Sequence, residues 1–147
     1  MISFQTISSF RARLQALVDI RKGVYSSVPA EIKREFESAD IETIRHNRDM
    51  ILIQNDLVIV KYRLGDKRMK LSKANGYRLI YMVSTLHERV VFLDIYPKRG
   101  PLQQLDIDDR QLMRLIDFLD HLKQRASILN FRFHPLQSLK LLCNHPD

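Results

Sequence analysis

Residues 50–100 read MILIQNDLVIVKYRLGDKRMKLSKANGYRLIYMVSTLHERVVFLDIYPKRG, and the alternation within this stretch decides the fold. Met50–Gln54 and Leu57–Leu64 flank Asn55-Asp56, a pair whose short polar side chains favour a tight turn. Gly76–Val83 and Arg89–Tyr96 flank the polar tip Ser84–Glu88 and predict a second hairpin. Successive side chains of a strand point to opposite faces. Val58, Val60, Tyr62 and Leu64 therefore share one face, and Leu57, Ile59, Lys61 and Arg63 the other. Arg78 goes with Ile80 and Met82. In the last strand the same rule groups Val91, Leu93 and Ile95 against Phe92, Asp94, Tyr96 and Lys98. One end of the sheet can then gather Lys61, Arg63, Arg78 and Lys98.

Helices flank this β-rich middle. Met1–Ile7 alternates weakly and suits a short strand. Ser8 or Ser9 is placed to cap a helix with apolar positions Phe10, Leu14, Leu17, Val18 and Val24, and Gly23 suits a stop near its end. Pro29 opens a second helix with Glu31 in its first turn and Ile32 and Phe36 on one face. Downstream, Asp108 and Gln111 form a capping box, with Ile107 stapled against Leu112. Leu112, Leu115, Ile116, Leu119 and Leu122 make the apolar stripe of that helix. A loop at Asn130–Pro135 and a short helix, Leu136–Leu142, complete the order. The expected architecture is α+β: an N-terminal helical hairpin packed on a small antiparallel sheet, with C-terminal helices.

The chain has 147 residues, a length suited to one domain with a single core. No apolar run approaches the ~20 residues that cross a membrane, and the first residues lack the pattern of a secretion signal. The expected location is cytoplasmic, with no membrane partner. Twenty-four Lys and Arg against 17 Asp and Glu give +7. Residues 61–78 hold seven cations and one acid, Asp66, so +6 of that excess is local. Such a loop between two apolar strands is either a solvated surface or a site for a polyanion.

Other chemistries find no support. His46, His87, His121, His134 and His145 have no partner at metal-ligand spacing, so no metal and no cofactor is expected. None of the four glycines forms a phosphate loop. Asp108 and Asp109 read as a helix cap with a favourable dipole charge rather than a catalytic pair. Cys143, the one cysteine, reads as a small apolar residue.

The stretch Val60–Gly100 resembles the RelE/ParE superfamily of bacterial toxins, and within it the RelE-like messenger-RNA endonucleases. The residues that carry the likeness are Lys61-Tyr62-Arg63, the Lys-rich loop Lys67–Lys73, Gly76-Tyr77-Arg78-Leu79-Ile80-Tyr81, the strand Val90–Tyr96 and the exit Lys98-Arg99. The order of elements is similar too. Three features depart from the family's pattern. Ser72–Gly76 replaces a shorter, glycine-rich approach to Tyr-Arg, no Tyr follows Tyr96, and Leu136–Asp147 extends past the usual domain.

The resemblance implies one RelE-like domain over residues 1–147, with residues 124–147 as a candidate appendage. It implies the toxin of a toxin–antitoxin pair, a metal-free endoribonuclease acting on ribosome-bound messenger RNA. The partners are then an antitoxin protein, the ribosome and the message. The implied catalytic set is Lys61, Arg63, Arg78, Lys98 and Tyr96. Arg78 would clamp the scissile phosphate, Lys61 and Arg63 would serve as base and phosphate contact, and Lys98 would sit on the leaving-group side. Tyr96 would stack on a base or act as acid, and packing at the sheet edge is its equal alternative. Lys67, Arg68, Lys70, Lys73 and Arg99 are implied RNA contacts. Two other readings stand beside this one: a ParE-like inhibitor of DNA gyrase, and a basic sheet that only binds nucleic acid or a partner.

Overall fold

The computed structural model describes residues 1–46, 49–54 and 56–126. Its order is β1 (Ser3–Thr6), α1 (Ser8–Val18), a single 3-10 turn (Arg21–Gly23), α2 (Val28–Phe36), α3 (Ile41–Arg45), β2 (Met50–Gln54), β3 (Leu57–Leu64), β4 (Tyr77–Ser84), β5 (Arg89–Pro97) and α4 (Asp109–Ala126). The α+β class is as expected. The sheet is not wholly antiparallel. Its strand order is β1-β5-β4-β3-β2, and β1 runs parallel to β5 while the other pairs are antiparallel. The helices between β1 and the hairpins carry the chain back over the sheet, so β1 lands beside the last strand in the same direction.

β4 lies at the centre and is buried along its whole length. On one face Tyr77, Leu79, Tyr81 and Val83 pack with Val58, Val60 and Leu64 of β3 beneath Phe10, Leu14 and Leu17 of α1 and Val28, Ile32 and Phe36 of α2. Phe4, Phe36, Tyr62, Tyr81 and Phe92 stack edge to face or flat in this layer, with ring centroids 5.2–6.4 Å apart. On the other face Ile59, Ile80, Met82, Val91, Leu93 and Tyr96 form a second buried cluster with Leu115, and the half-buried Ile7, Ile51, Leu57, Ile107 and Phe118 pack against it. The N-terminal helix pair thus covers one face of the sheet, and α4 covers part of the opposite face.

Four local expectations need correction. α1 stops at Val18, before Val24, and a separate turn with Lys22 and Gly23 at positive φ follows. Ser8 and Ser9 lie inside the first turn of α1; the cap position is Ile7, with no side-chain cap. A short helix, α3, is capped by Asp40, which accepts from Thr43 N–H at 2.8 Å.

The fourth correction has the largest effect on the site. Tyr81 pairs with Phe92, but Ile80 pairs with Asp94, so Leu93 is an extra residue in β5. This β-bulge breaks the alternation. Ile95 turns to the face of Phe92, and Tyr96 to the face of Val91 and Leu93. The capping box at α4 forms as expected: Asp108 accepts from Gln111 N–H at 2.8 Å, and Gln111 accepts from Asp108 N–H at 2.9 Å. Asn55, the Asn130–Pro135 loop, the Leu136–Leu142 helix, Cys143 and nearly all of 124–147 lie outside the described residues. Among the described residues no helix is long and apolar enough to cross a membrane.

Candidate nucleic-acid interface

β3, β4 and β5 bring the cations together through their register. Arg63 pairs with Arg78, and Arg78 with Tyr96, so these three side chains are direct cross-strand neighbours. Lys61 lies two positions along, opposite Ile80. The Leu93 bulge is what rotates Tyr96 onto this face. Just past β5, the Lys98 N–H donates to the Gly76 carbonyl at 2.9 Å, and this ties the exit of β5 to the start of β4. Lys61, Arg63, Arg78 and Lys98 line one groove of about 590 Å³ with Asp49, Met50, Ile51, Leu105 and Asp106.

Two like charges placed directly opposite repel, and the surroundings hold each in place. Arg63 Nε pairs with Asp49 at 3.3 Å. Arg78 is largely buried and donates to main-chain carbonyls, from Nη1 to Lys73 (3.1 Å) and Tyr77 (3.3 Å) and from Nη2 to Ala74 (3.2 Å). Burial, and then the Arg63 charge, lower the Arg78 pKa, though a guanidinium remains charged at any working pH. Lys61 Nζ pairs with Asp106 at 3.0 Å, and Lys98 Nζ donates to the Leu105 carbonyl. Burial and the nearby Arg78 charge also lower the pKa of Lys98 below the usual lysine value. Tyr96 OH donates to Asp106 at 3.3 Å; burial, and next the Asp106 charge, raise its pKa so that the phenol keeps its proton. Four cations against Asp49 and Asp106 leave the groove lining at a formal +2.

The remaining basic residues are elsewhere. Lys67, Arg68 and Lys70 lie exposed on a turn closed by the Asp66–Leu71 bridge. Asp66, the one acid of the basic stretch, is buried and anchors this turn. It accepts from Ser27 OH at 2.6 Å, Tyr77 OH at 3.0 Å and Met69 N–H at 3.2 Å. Buried Glu31 of α2 accepts from Lys67 N–H at 3.2 Å. Lys73 stands over the ring of Tyr62, 5.8 Å from its centroid, on the opposite face of the sheet. Arg99 donates to Asn75 at 3.1 Å. None of these five lines the groove.

Sequence reading missed Asp49 and Asp106. Asp49 directly precedes β2, and Asp106 sits just before α4 beside Asp108 and Asp109, which read as a helix cap with a dipole charge. Only the fold brings Asp106 to Lys61, 45 positions away. Among the described residues no group of three or more His, Cys, Asp or Glu is placed to hold a metal ion. No family model, no curated protein and no solved structure matches the chain.

Proposed function

We propose that the protein is an endoribonuclease that cuts ribosome-bound messenger RNA without a metal, and that it is the toxin of a toxin–antitoxin pair of RelE-like type acting in the cytoplasm. One observation carries the reading: Lys61, Arg63, Arg78 and Lys98 line a single groove, with Tyr96 beside Arg78 on the same face. In such a cleavage the 2′-hydroxyl attacks the adjacent phosphate, and negative charge grows on its oxygens. Fixed cationic donors stabilise that charge more in the transition state than in the ground state. Arg78, already seated by three carbonyls, is the phosphate clamp. Arg63 and Lys61 extend the contact along the backbone, and Lys98 stands on the leaving-group side. Tyr96, whose raised pKa makes it a poor acid and whose ring is fully buried, offers no stacking surface to a base and serves to hold Asp106 through its hydroxyl. Lys67, Arg68, Lys70, Lys73 and Arg99, outside the groove, are contacts for RNA beyond the cut.

A groove of this charge also suits an acidic segment of an antitoxin, which would silence the enzyme by filling it. The test is expression of the lone protein, followed by mapping of message ends. Cuts within translated codons, with loss of growth rescued by a partner encoded beside it, are expected. Intact messages with altered DNA supercoiling would point to a gyrase inhibitor. Intact messages with normal growth would leave binding alone.

A further inference from the structure

Asp106 stands in a turn that is braced on both sides. Gln104 N–H donates to the Pro97 carbonyl at 2.9 Å, and Gln104 Nε2 donates to the Asp106 carbonyl at 2.7 Å and to Gln111 Oε1 at 2.6 Å. The Asp108–Gln111 capping box follows at once. The carboxylate is therefore placed by its backbone, although its side chain is 65% exposed. All its hydrogen bonds fall on one oxygen. Oδ1 accepts from Lys61 Nζ at 3.0 Å, Tyr96 OH at 3.3 Å and Ile107 N–H at 2.8 Å. Among the described residues Oδ2 accepts none.

We propose that Asp106 is the general base of the cleavage and takes the proton of the attacking 2′-hydroxyl on Oδ2, an assignment that rests on the ribonuclease reading above. A base must offer a lone pair. Lysine and arginine in their usual charged forms have none, and they make up the rest of the polar lining apart from Asp49. Asp49 is held by Arg63 Nε, whereas Asp106 is anchored beside Tyr96, within the field of Arg78 and Lys98. The groups facing it are Lys61 from β3, Arg78 from β4, Tyr96 from β5 and Lys98 just past that strand; Asp108 follows in the turn before α4. The Lys61 hydrogen bond, then the Ile107 N–H, hold its carboxyl below the usual range, so it is ionised whenever the enzyme works.

The proton account closes. The O2′–H bond breaks and its proton passes to Asp106. O2′ bonds to phosphorus, the P–O5′ bond breaks, and the leaving oxygen takes a proton from the Lys98 ammonium. The products are a 2′,3′-cyclic phosphate and a 5′-hydroxyl. Exchange with water reprotonates Lys98 and deprotonates Asp106, and no electron changes hands.

The experiment is single-turnover cutting of an end-labelled synthetic message bound to ribosomes, by wild type, Asp106→Asn, Asp106→Glu and Arg78→Ala. Binding is measured on the same message with 2′-deoxyribose at the cut. Asp106→Asn is expected to slow cutting about 10²–10⁴-fold, with Asp106→Glu recovering part of the loss. Binding of the deoxy message is expected to hold. The wild-type rate, which needs no variant to fold, is expected to be flat between about pH 6 and 8. A wild-type rate climbing about tenfold per pH unit across that range would move the base to an amine and overturn the assignment. Undiminished cutting by Asp106→Asn would overturn it too. Faster cutting with tighter binding would instead make the carboxylate a competitor of the phosphate. If Arg78→Ala is dead while Asp106→Asn cuts normally, only the assignment of Asp106 falls. If wild type does not cut, the ribonuclease reading falls with it.

Discussion

Arg78 shows how much one side chain gains from its surroundings. Of its five N–H groups, both on Nη1 and one on Nη2 are spent on the carbonyls of Lys73, Tyr77 and Ala74. Among the described residues the Nε–H and one Nη2–H have no partner, and under the proposed ribonuclease reading these two would meet the phosphate without reorganisation of the guanidinium. Arg78→Ala is expected to lower cutting about 10²–10³-fold, the usual loss for one preorganised oxyanion donor. Arg78→Lys restores only part, because an ammonium can neither span the three carbonyls nor present two fixed N–H groups. Both variants lose about 1 kcal/mol of stability, since the loop carbonyls exchange their donor for water. Message cleavage and chemical denaturation check the two halves separately, and wild-type cutting by a folded Arg78→Ala protein would remove the clamp. The face of Arg78 could be read from sequence because its strand alternates cleanly with Ile80 and Met82, while its part in a site is what the resemblance of Gly76–Tyr81 implies. Asp106 could not, because an acid before a helix is already accounted for by capping.

The elements fix what the residues can do, and here the sequence is legible in some places and silent in others. β3 and β4 follow strict alternation, so the faces within each strand could be read directly; that Lys61, Arg63 and Arg78 gather on one face follows from the register between the strands, which alternation only allows. β5 could not be read so, because no glycine or proline marks the bulge at Leu93, and every side chain beyond it changes face. The parallel place of β1 depends on the path of two helices, and α3 is too short for a helical period to show. The basic loop misleads in a different way, since Asp66 looks like one more surface charge but is the buried anchor between α2 and β4. Tyr77→Phe keeps the ring and removes its hydroxyl's bond to that anchor. It is expected to cost about 1–3 kcal/mol in denaturant unfolding, as a charged buried acceptor loses a donor. An unchanged midpoint would mean that Ser27 and Met69 suffice to hold the turn. Gly76 is the second such point. A Cβ there would stand 2.1 Å from the Leu64 carbonyl, where the backbones of β3 and β4 part. Gly76→Ala is expected to lower the melting temperature and to weaken cutting together, because it pries Arg78 from Arg63 and Lys98 from the Gly76 carbonyl. A variant that melts as wild type would show that the strands part freely there.

At the scale of the whole molecule, two groups of cations near the sheet differ in a way that composition alone cannot separate. Lys61, Arg63, Arg78 and Lys98 line the groove, while Lys67, Arg68 and Lys70 stand on the Asp66 turn outside it. The first set is tied to fixed partners; the second is exposed. Binding of a polyanion releases counterions in proportion to the phosphates neutralised, so the two sets can be weighed by salt. With four groove contacts at about 0.7 each, log affinity for short single-stranded RNA is expected to fall with log salt at a slope near −3. Removing one groove cation, as in Lys61→Ala, is expected to make the slope shallower by about 0.7. The triple change Lys67→Ala, Arg68→Ala and Lys70→Ala is expected to leave the slope for a short oligonucleotide nearly unchanged, because none of the three lines the groove. The same triple variant is expected to weaken binding to whole ribosomes, where a far larger phosphate surface meets the protein. Filter binding across a salt series measures both. A slope near zero would mean the groove does not hold RNA. A slope lost in the triple variant but kept in Lys61→Ala would move the RNA from the groove to the loop and leave the sheet face without a nucleic-acid partner.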